Sequence, residues 1–502
     1  MNAQDARKLR QRKRRIRRRL KPRNFQATEK PVFEGTSPRY EMSGRVRCVR
    51  AGGIGAIHAM AKRIGLVKGI NEGLELLKVH LPYHESDHVL NLAYNVLAGH
   101  TRLEDLELLR NDEAYLDLLG APRIPDPTTA GDFLRRFKER DIESLMEVFN
   151  VVRARVWAQQ PAASRETAVI DVDGTVVPTT GEKKEGMSLS YKGIWGYAPL
   201  LVSLANFKEP LYLVNRPGNA PSHQDAAKWI DKAIALCRES FGSVRVRGDT
   251  DFSLTKHFDR WDGKGVRFVF GYDAKKNLVQ IAESLADSSW RPLERRPKYE
   301  VATEPRAKRP NAKEQVVVAK RYRNLRLVGE EIAEVEYRPS ACKTTYRLVI
   351  LRKNLSVERG EDWLWDDWRY FFYITNDRSF SAEEVVWQAN ERCDQENLIE
   401  QLKNGVGAMR VPVYDLVSNW AYMVIASLAW SLKAWFGMTL PRPADRADIV
   451  GMEFKRFVHA VMLVPCQVLR KARRLVLRVL AYTSRVRLLF RSMEATGRLA
   501  FT

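Results

Sequence analysis

The sequence predicts an α/β protein carrying helical and β-rich additions, and three observations lead there. Residues 161–273 alternate short apolar strands with helices, residues 36–160 keep a helical period, and residues 274–370 return to long β-branched runs. With 502 residues, 45% of them hydrophobic, the chain is long enough for several structural units rather than one core.

The chain opens with a basic arm, residues 1–35, expected to be disordered when free. Residues 1–23 hold twelve Lys/Arg against one Asp, nearly half of the net charge of +23. Such a run neutralises phosphates, so a polyanionic partner, most simply nucleic acid, is implied. It lacks the apolar segment of a secretory signal. The five cysteines are widely spaced without a CxxC, which argues against a disulfide framework or zinc module and fits a reducing cytoplasm. Leu416–Leu432 is the longest uncharged run, but it is short for a membrane span and contains Asn419 and three serines. It is expected to be a core helix.

Residues 36–160 read as a helical, DNA-binding domain, ending in the capped basic helix of IPDPTTAGDFLRRFKERD. His80, His84 and His88 recur at spacings of four, but Pro82 interrupts any helix joining them, so a surface turn with ordinary histidines is expected. From Thr167 come three strands (AVIDVDGTVV, YAPLLVSLANF, PLYLVNR) and a helix opened by Ser222 and Asp225 as a capping box. SVRVRGD, a short helix and VRFVFGYD follow. Three antiparallel strands and then a βαβ crossover are the order of a ribonuclease-H-like core, here residues 161–273 and 371–440. A β-rich insertion, 274–370, interrupts it with runs such as EQVVVAKRYRNLRLVG and TTYRLVILRKN. After the strand FFYITN, one helix is expected across SAEEVVWQANERCDQENLIEQLKNG, capped by Ser381 and Glu384. Residues 441–502 are basic, and their pattern does not separate helix from strand.

The chemistry starts at VIDVDGTVVP. Asp171 and Asp173 share one face of a strand, about 6–7 Å apart, inside an apolar run where a carboxylate needs a partner or a metal. A strand end with turn residues would also account for them. Asp249 closes the fourth strand and Glu396 lies on the helix after the insertion, so three acids can meet where strands one and four are neighbours. Oxygen donors alone suit Mg²⁺, and paired ions of this kind activate a water or a 3′-hydroxyl. Glu400, one turn on, competes as the third acid, and Asp171 is assigned as a same-face neighbour. On a continuous helix Arg392, Glu396 and Lys403 fall within about 40° of arc, which suits a DNA backbone entering a metal site. An ordinary ion pair would produce the same spacing.

These residues resemble the DDE transposases of bacterial insertion sequences whose catalytic domain carries a β-strand insertion, specifically the insertion-sequence 1380 group. The motifs are Asp173-Gly174-Thr175, Arg216-Pro217-Gly218-Asn219, Arg247-Gly248-Asp249-Thr250-Asp251-Phe252, and Arg392, Glu396 and Lys403 at signature spacing. The chain departs from the pattern at Ala389, where the signature has a tyrosine whose role is vacant or moved to Trp387, and at Asp251, where a glycine is usual. The resemblance implies cut-and-paste transposition by end cleavage and strand transfer, with Asp173, Asp249 and Glu396 holding Mg²⁺ (Mn²⁺ as substitute). It implies DNA contacts from Arg392, Lys403, Asn219 and Arg216. It further implies double-stranded DNA partners (terminal inverted repeats and target), a homodimer in a synaptic complex, and a bacterial, nucleoid-associated protein without a membrane partner. Trp290, Trp363, Trp365 and Trp368 could stack on unpaired bases or simply pack. A domesticated relative, a structure-specific endonuclease on the same fold, and a binder with structural acids are the competing readings.

Overall fold

The computed structural model describes residues 1–20, 46–294, 311–471, 474–481 and 485–499. Its centre is one mixed sheet. The strands are β1 Thr167–Gly174, β2 Leu200–Leu204, β3 Glu209–Val214, β4 Ser243–Gly248, β5 Arg267–Tyr272, β6 Arg291–Pro292, β7 Arg323–Tyr337, β8 Tyr346–Arg359 and β9 Asp362–Thr375. They lie in the order β6-β7-β8-β9-β5-β4-β1-β2-β3. β1 runs parallel to β4 and β4 to β5, while the other neighbours are antiparallel. The helices used below are α1 Ala3–Leu20, α2 Ile54–Arg63, α3 Glu139–Ala158, α4 Ala226–Arg238, α5 Ala382–Asn390, α6 Cys393–Glu400, α7 Leu416–Met438 and α8 Val486–Arg498.

The sheet is covered on both faces because its central strands are apolar on both. Phe268, Phe270, Leu348 and Ile350 join the large core that includes Trp229 of α4 and Trp420 of α7. The alternate residues Val269, Val349 and Leu351 pack with Val385, Val386 and Ala389 of α5 in a second cluster. Helix α7 is buried almost throughout and is N-capped by Asp415, whose side chain accepts from the Ser418 amide at 2.8 Å. It is therefore the expected core helix, and no described helix is long and apolar enough to cross a membrane.

Several expectations need correcting. The basic arm is not free of structure over its described part. Residues 3–20 form α1, which buries Leu9 and donates from Arg12 Nη1 to the carbonyls of Val479 and Leu480 at 2.9 Å. Arg, Lys, Gln and Leu are all good helix formers, and docking supplies the remaining stabilisation; residues 21–35 lie outside the described residues. The insertion does not form a sheet of its own, since β7, β8 and β9 extend the central sheet through the pairing of Phe372–Thr375 with β5. A boundary at residue 370 therefore cuts through β9. Residues 314–320, read as strand, belong to a helix over Ala312–Lys320 capped by Asn311, whose side chain accepts from the amides of Lys313 and Glu314. Finally, 441–502 is not a separate region. Its hairpin strand Cys466–Lys471 pairs with Cys48–Val49, and α8 packs on α2.

Candidate active site

Sheet register aligns the first two acids. Val172 pairs with Gly248 across the parallel β1–β4 step, so the next residues stand side by side at the carboxyl ends of these strands, Asp173 still paired with Leu201 of β2 and Asp249 just past β4. Asp249 turns the chain into the helical turn Thr250–Phe252 and accepts from the Asp251 amide at 3.0 Å. Asp251 thus uses its backbone to orient Asp249 and is itself exposed.

Asp173 accepts from the Gly174 amide at 2.7 Å. Its pKa is pushed up to about 6, chiefly by burial and then by Asp249, with Glu396 adding to the rise and Arg392 opposing it. Burial also raises Asp249, against the pull of Arg392. Asp173 therefore feels the charges of both other proposed acids. Glu400 instead accepts from the Asn404 amide group at 2.6 Å.

Asp171 has a different environment. It is 1% exposed and takes both arms of Arg247, Nε to Oδ1 at 2.7 Å and Nη2 to Oδ2 at 2.9 Å. Arg247 Nη1 reaches on to the Gln388 carbonyl at 3.2 Å and Glu391 Oε2 at 3.2 Å. One buried guanidinium thereby ties β1, β4 and the end of α5 together beneath the acids. The sequence reading missed this role for Arg247, although its place two residues before Asp249 on the same strand face was a usable signal.

The single helix expected over 381–405 is broken. Its Ser381–Glu384 capping box forms, with the Glu384 amide donating to Ser381 Oγ at 3.2 Å and the Ser381 amide to Glu384 Oε2 at 2.8 Å. α5 then stops at Asn390, α6 restarts at Cys393, and Gln401–Gly405 forms a wide π-type turn. The arc calculated for an unbroken helix does not survive. Arg392 sits 3.9 Å from Asp249, not in a turn-to-turn pair with Glu396. Lys403 donates to the Val176 carbonyl at 2.9 Å, just beyond β1. Ala389 is buried against α5's apolar cluster, so the signature tyrosine position is filled by packing.

The four residues proposed for DNA also separate. Arg392 and Lys403 lie beside the acids, and Asn219 is exposed. Arg216 is buried at 5% exposure: Nε donates to the Ala198 carbonyl at 2.8 Å, and Nη1 to those of Ser222 and Gln224, each at 2.9 Å. Its turn is pressed against the small sheet of Val177–Pro178, Ser188–Leu189 and Trp195–Tyr197. A Cβ on Gly218 would stand 2.2 Å from the Gly196 carbonyl oxygen and 2.3 Å from that of Ser188, so only glycine permits the approach. The Ser222–Asp225 capping box does not form, because Asp225 is the N-cap at φ 57° and makes no side-chain cap bond.

Of the histidines, His88 is stacked on Phe133 in the helical unit. Donor atoms of His80, His84 and Glu85 lie within 4.8 Å of one another, but Glu85 is buried and already accepts from the amides of Leu76 and Leu77. Trp290 is buried with Arg352 over its ring, whereas Trp363, Trp365 and Trp368 are exposed along β9.

A family model described as transposase DDE domain group 1 matches residues 39–500. A solved structure, of piggyBac transposase in a synaptic complex with hairpin DNA, is similar at 10% identity and a TM-score of 0.33, covering 82% of this chain and 84% of that one. No curated protein matches the chain.

Proposed function

We propose, on the premise that this chain belongs to the group 1 family of transposase DDE domains, that it carries out cut-and-paste transposition of a bacterial insertion sequence of the 1380 group. The reading takes the strands β3-β2-β1-β4-β5 as a ribonuclease-H-like core. The observation that carries it is the register of β1 and β4, which brings Asp173 and Asp249 together at one sheet edge within the electrostatic reach of Glu396.

Asp173, Asp249 and Glu396 would hold a divalent metal, Mg²⁺ or Mn²⁺. When bound, it supplies activation of a water or 3′-hydroxyl and stabilises the leaving oxygen. The donor set fits: three carboxylates with oxygen donors only, of which Asp173 and Asp249 are partly desolvated and Asp173 is repelled by the other two until a cation joins them. Arg392 offsets part of that repulsion from beside Asp249, and it is suited to grip a phosphate there bidentately. Lys403, anchored on Val176, faces the same strand end. Asn219 is exposed on the adjoining turn and is assigned to the DNA backbone. Double-stranded DNA, as terminal inverted repeats and target, is the partner, held by a homodimer in a synaptic complex.

The test uses inverted repeats found beside the gene as the DNA substrate. Asp173→Ala, Asp249→Ala and Glu396→Ala should each lose at least about 1000-fold in end cleavage with Mg²⁺, as loss of a metal-centred electrostatic site entails, while retaining DNA binding. Undiminished cleavage by Glu396→Ala together with loss in Glu400→Ala would move the third ligand one turn along.

A further inference from the structure

Directly behind the end of β1 the structure contains a small cavity of about 270 Å³ whose walls include Gly174, Thr175, Lys192, Arg216, Ser222 and Lys403. The lining holds three cations and no carboxylate. Its floor is formed by Arg216. Nε and Nη1 of that side chain are committed to backbone carbonyls, while Nη2 is sealed from solvent and has no acceptor. A buried charged donor left without an acceptor is costly, and folded chains retain one where a ligand completes it.

Gly174 keeps the space open. A Cβ there would lie 3.7 Å from Arg216 Nη2 and 3.8 Å from Ser222 Oγ, so Nη2 faces the gap left by the missing side chain. At the other wall Lys403 feels both Lys192 and Asp173, which links the cavity to the acid cluster. A trapped water could accept one N–H bond, but it would bring no negative charge to a lining that holds three cations.

We propose that this cavity is a phosphate subsite that takes one backbone phosphate of the nucleic-acid strand bound at the acids. Arg216 Nη2 and Ser222 Oγ are the donors at its floor, and Lys192 and Lys403 close its sides. The assignment rests on the DNA reading above, and it makes Arg216 a phosphate ligand from inside the fold. A neighbouring phosphate held this way fixes the register of the strand at the acids, since misplacement by about 1 Å can cost about 100-fold in rate.

Competitive lysine acetylation of the full-length protein, read by mass spectrometry, tests this locally and without any activity. Inorganic phosphate should slow labelling of Lys403 about fivefold at four times its Kd, because a bound anion covers the amine and holds its proton. Exposed Lys68, far from the cavity, should be unaffected at the same ionic strength. A short duplex of arbitrary sequence should protect Lys403 too and remove the added effect of phosphate. Gly174→Ala, whose methyl group makes only ordinary contacts, and Ser222→Ala should both lose protection by phosphate while remaining folded. Equal slowing at Lys68, or no slowing at Lys403, would overturn the subsite. Protection by phosphate but not by duplex would overturn its assignment to a DNA phosphate. Failure of the transposase reading shows elsewhere, as cleavage retained in Asp173→Ala.

Discussion

Asp171 and Asp173 stand two residues apart on one strand face and have opposite environments. Asp171 is saturated by both arms of Arg247 in a nearly dry setting. Asp173 is buried beside other acids and only partly offset by Arg392, so its carboxylate form is disfavoured until a further cation joins it. Alanine at the two positions should therefore act differently. Asp171→Ala strands the Arg247 guanidinium and should lower unfolding stability by about 3–5 kcal/mol. Asp173→Ala should leave the urea midpoint unchanged or raise it, while removing cleavage. Equal losses of stability at both sites would overturn this division. Alternation along VIDVDG made the shared face legible in the sequence, but not which carboxylate was already paired. That depended on Arg247, 76 residues away, and on the parallel register that sets it beside Asp171.

Helices α5 and α6 show the limit of periodicity. The 381–405 segment has the cap and the composition of one helix, yet the chain breaks near Arg392 and widens over Gln401–Gly405. Packing competes with the 3.6-residue repeat here: α5 follows the apolar cluster under β5, β7 and β8, while Lys403 is drawn to Val176. Helix α1 shows the converse, since its charge suggested disorder and docking supplied order. It carries ten Lys/Arg in 18 residues and offers most of them to solvent. Deleting residues 1–20 should weaken binding to any DNA and flatten the slope of log K against log salt by several units, at about 0.9 per lost phosphate contact. It should also lower stability measurably, because Leu9 and the Arg12 bonds to Val479 and Leu480 go with it. An unchanged salt slope would show that α1 serves packing alone.

Across the whole molecule, the two ends of the chain complete one unit. Cys48–Val49 pairs with Cys466–Gln467, and a Cβ on Gly53 would meet the Val461 carbonyl oxygen at 2.2 Å, so the termini are fitted closely together. A chain ending at residue 440 should then expose apolar surface on α2 and become protease-sensitive across 46–160. Adding residues 441–502 in trans should restore protection; a stable, resistant 1–440 fragment would refute the fitted unit. The sequence by itself determined the strands β1–β5, the core helix α7, the Ser381 cap and the acids worth testing, because alternation, apolar runs and capping are local and leave a pattern in consecutive residues. Tertiary structure alone decided that Asp171 is paired, that Arg216 is buried with one donor facing a cavity, that the insertion strands extend the central sheet, and that the termini meet. Most of these depend on which distant segments become neighbours, and even Arg216, whose acceptors at Pro221, Ser222 and Gln224 are near in sequence, is buried only once Ala198, Lys192 and Lys403 close around it.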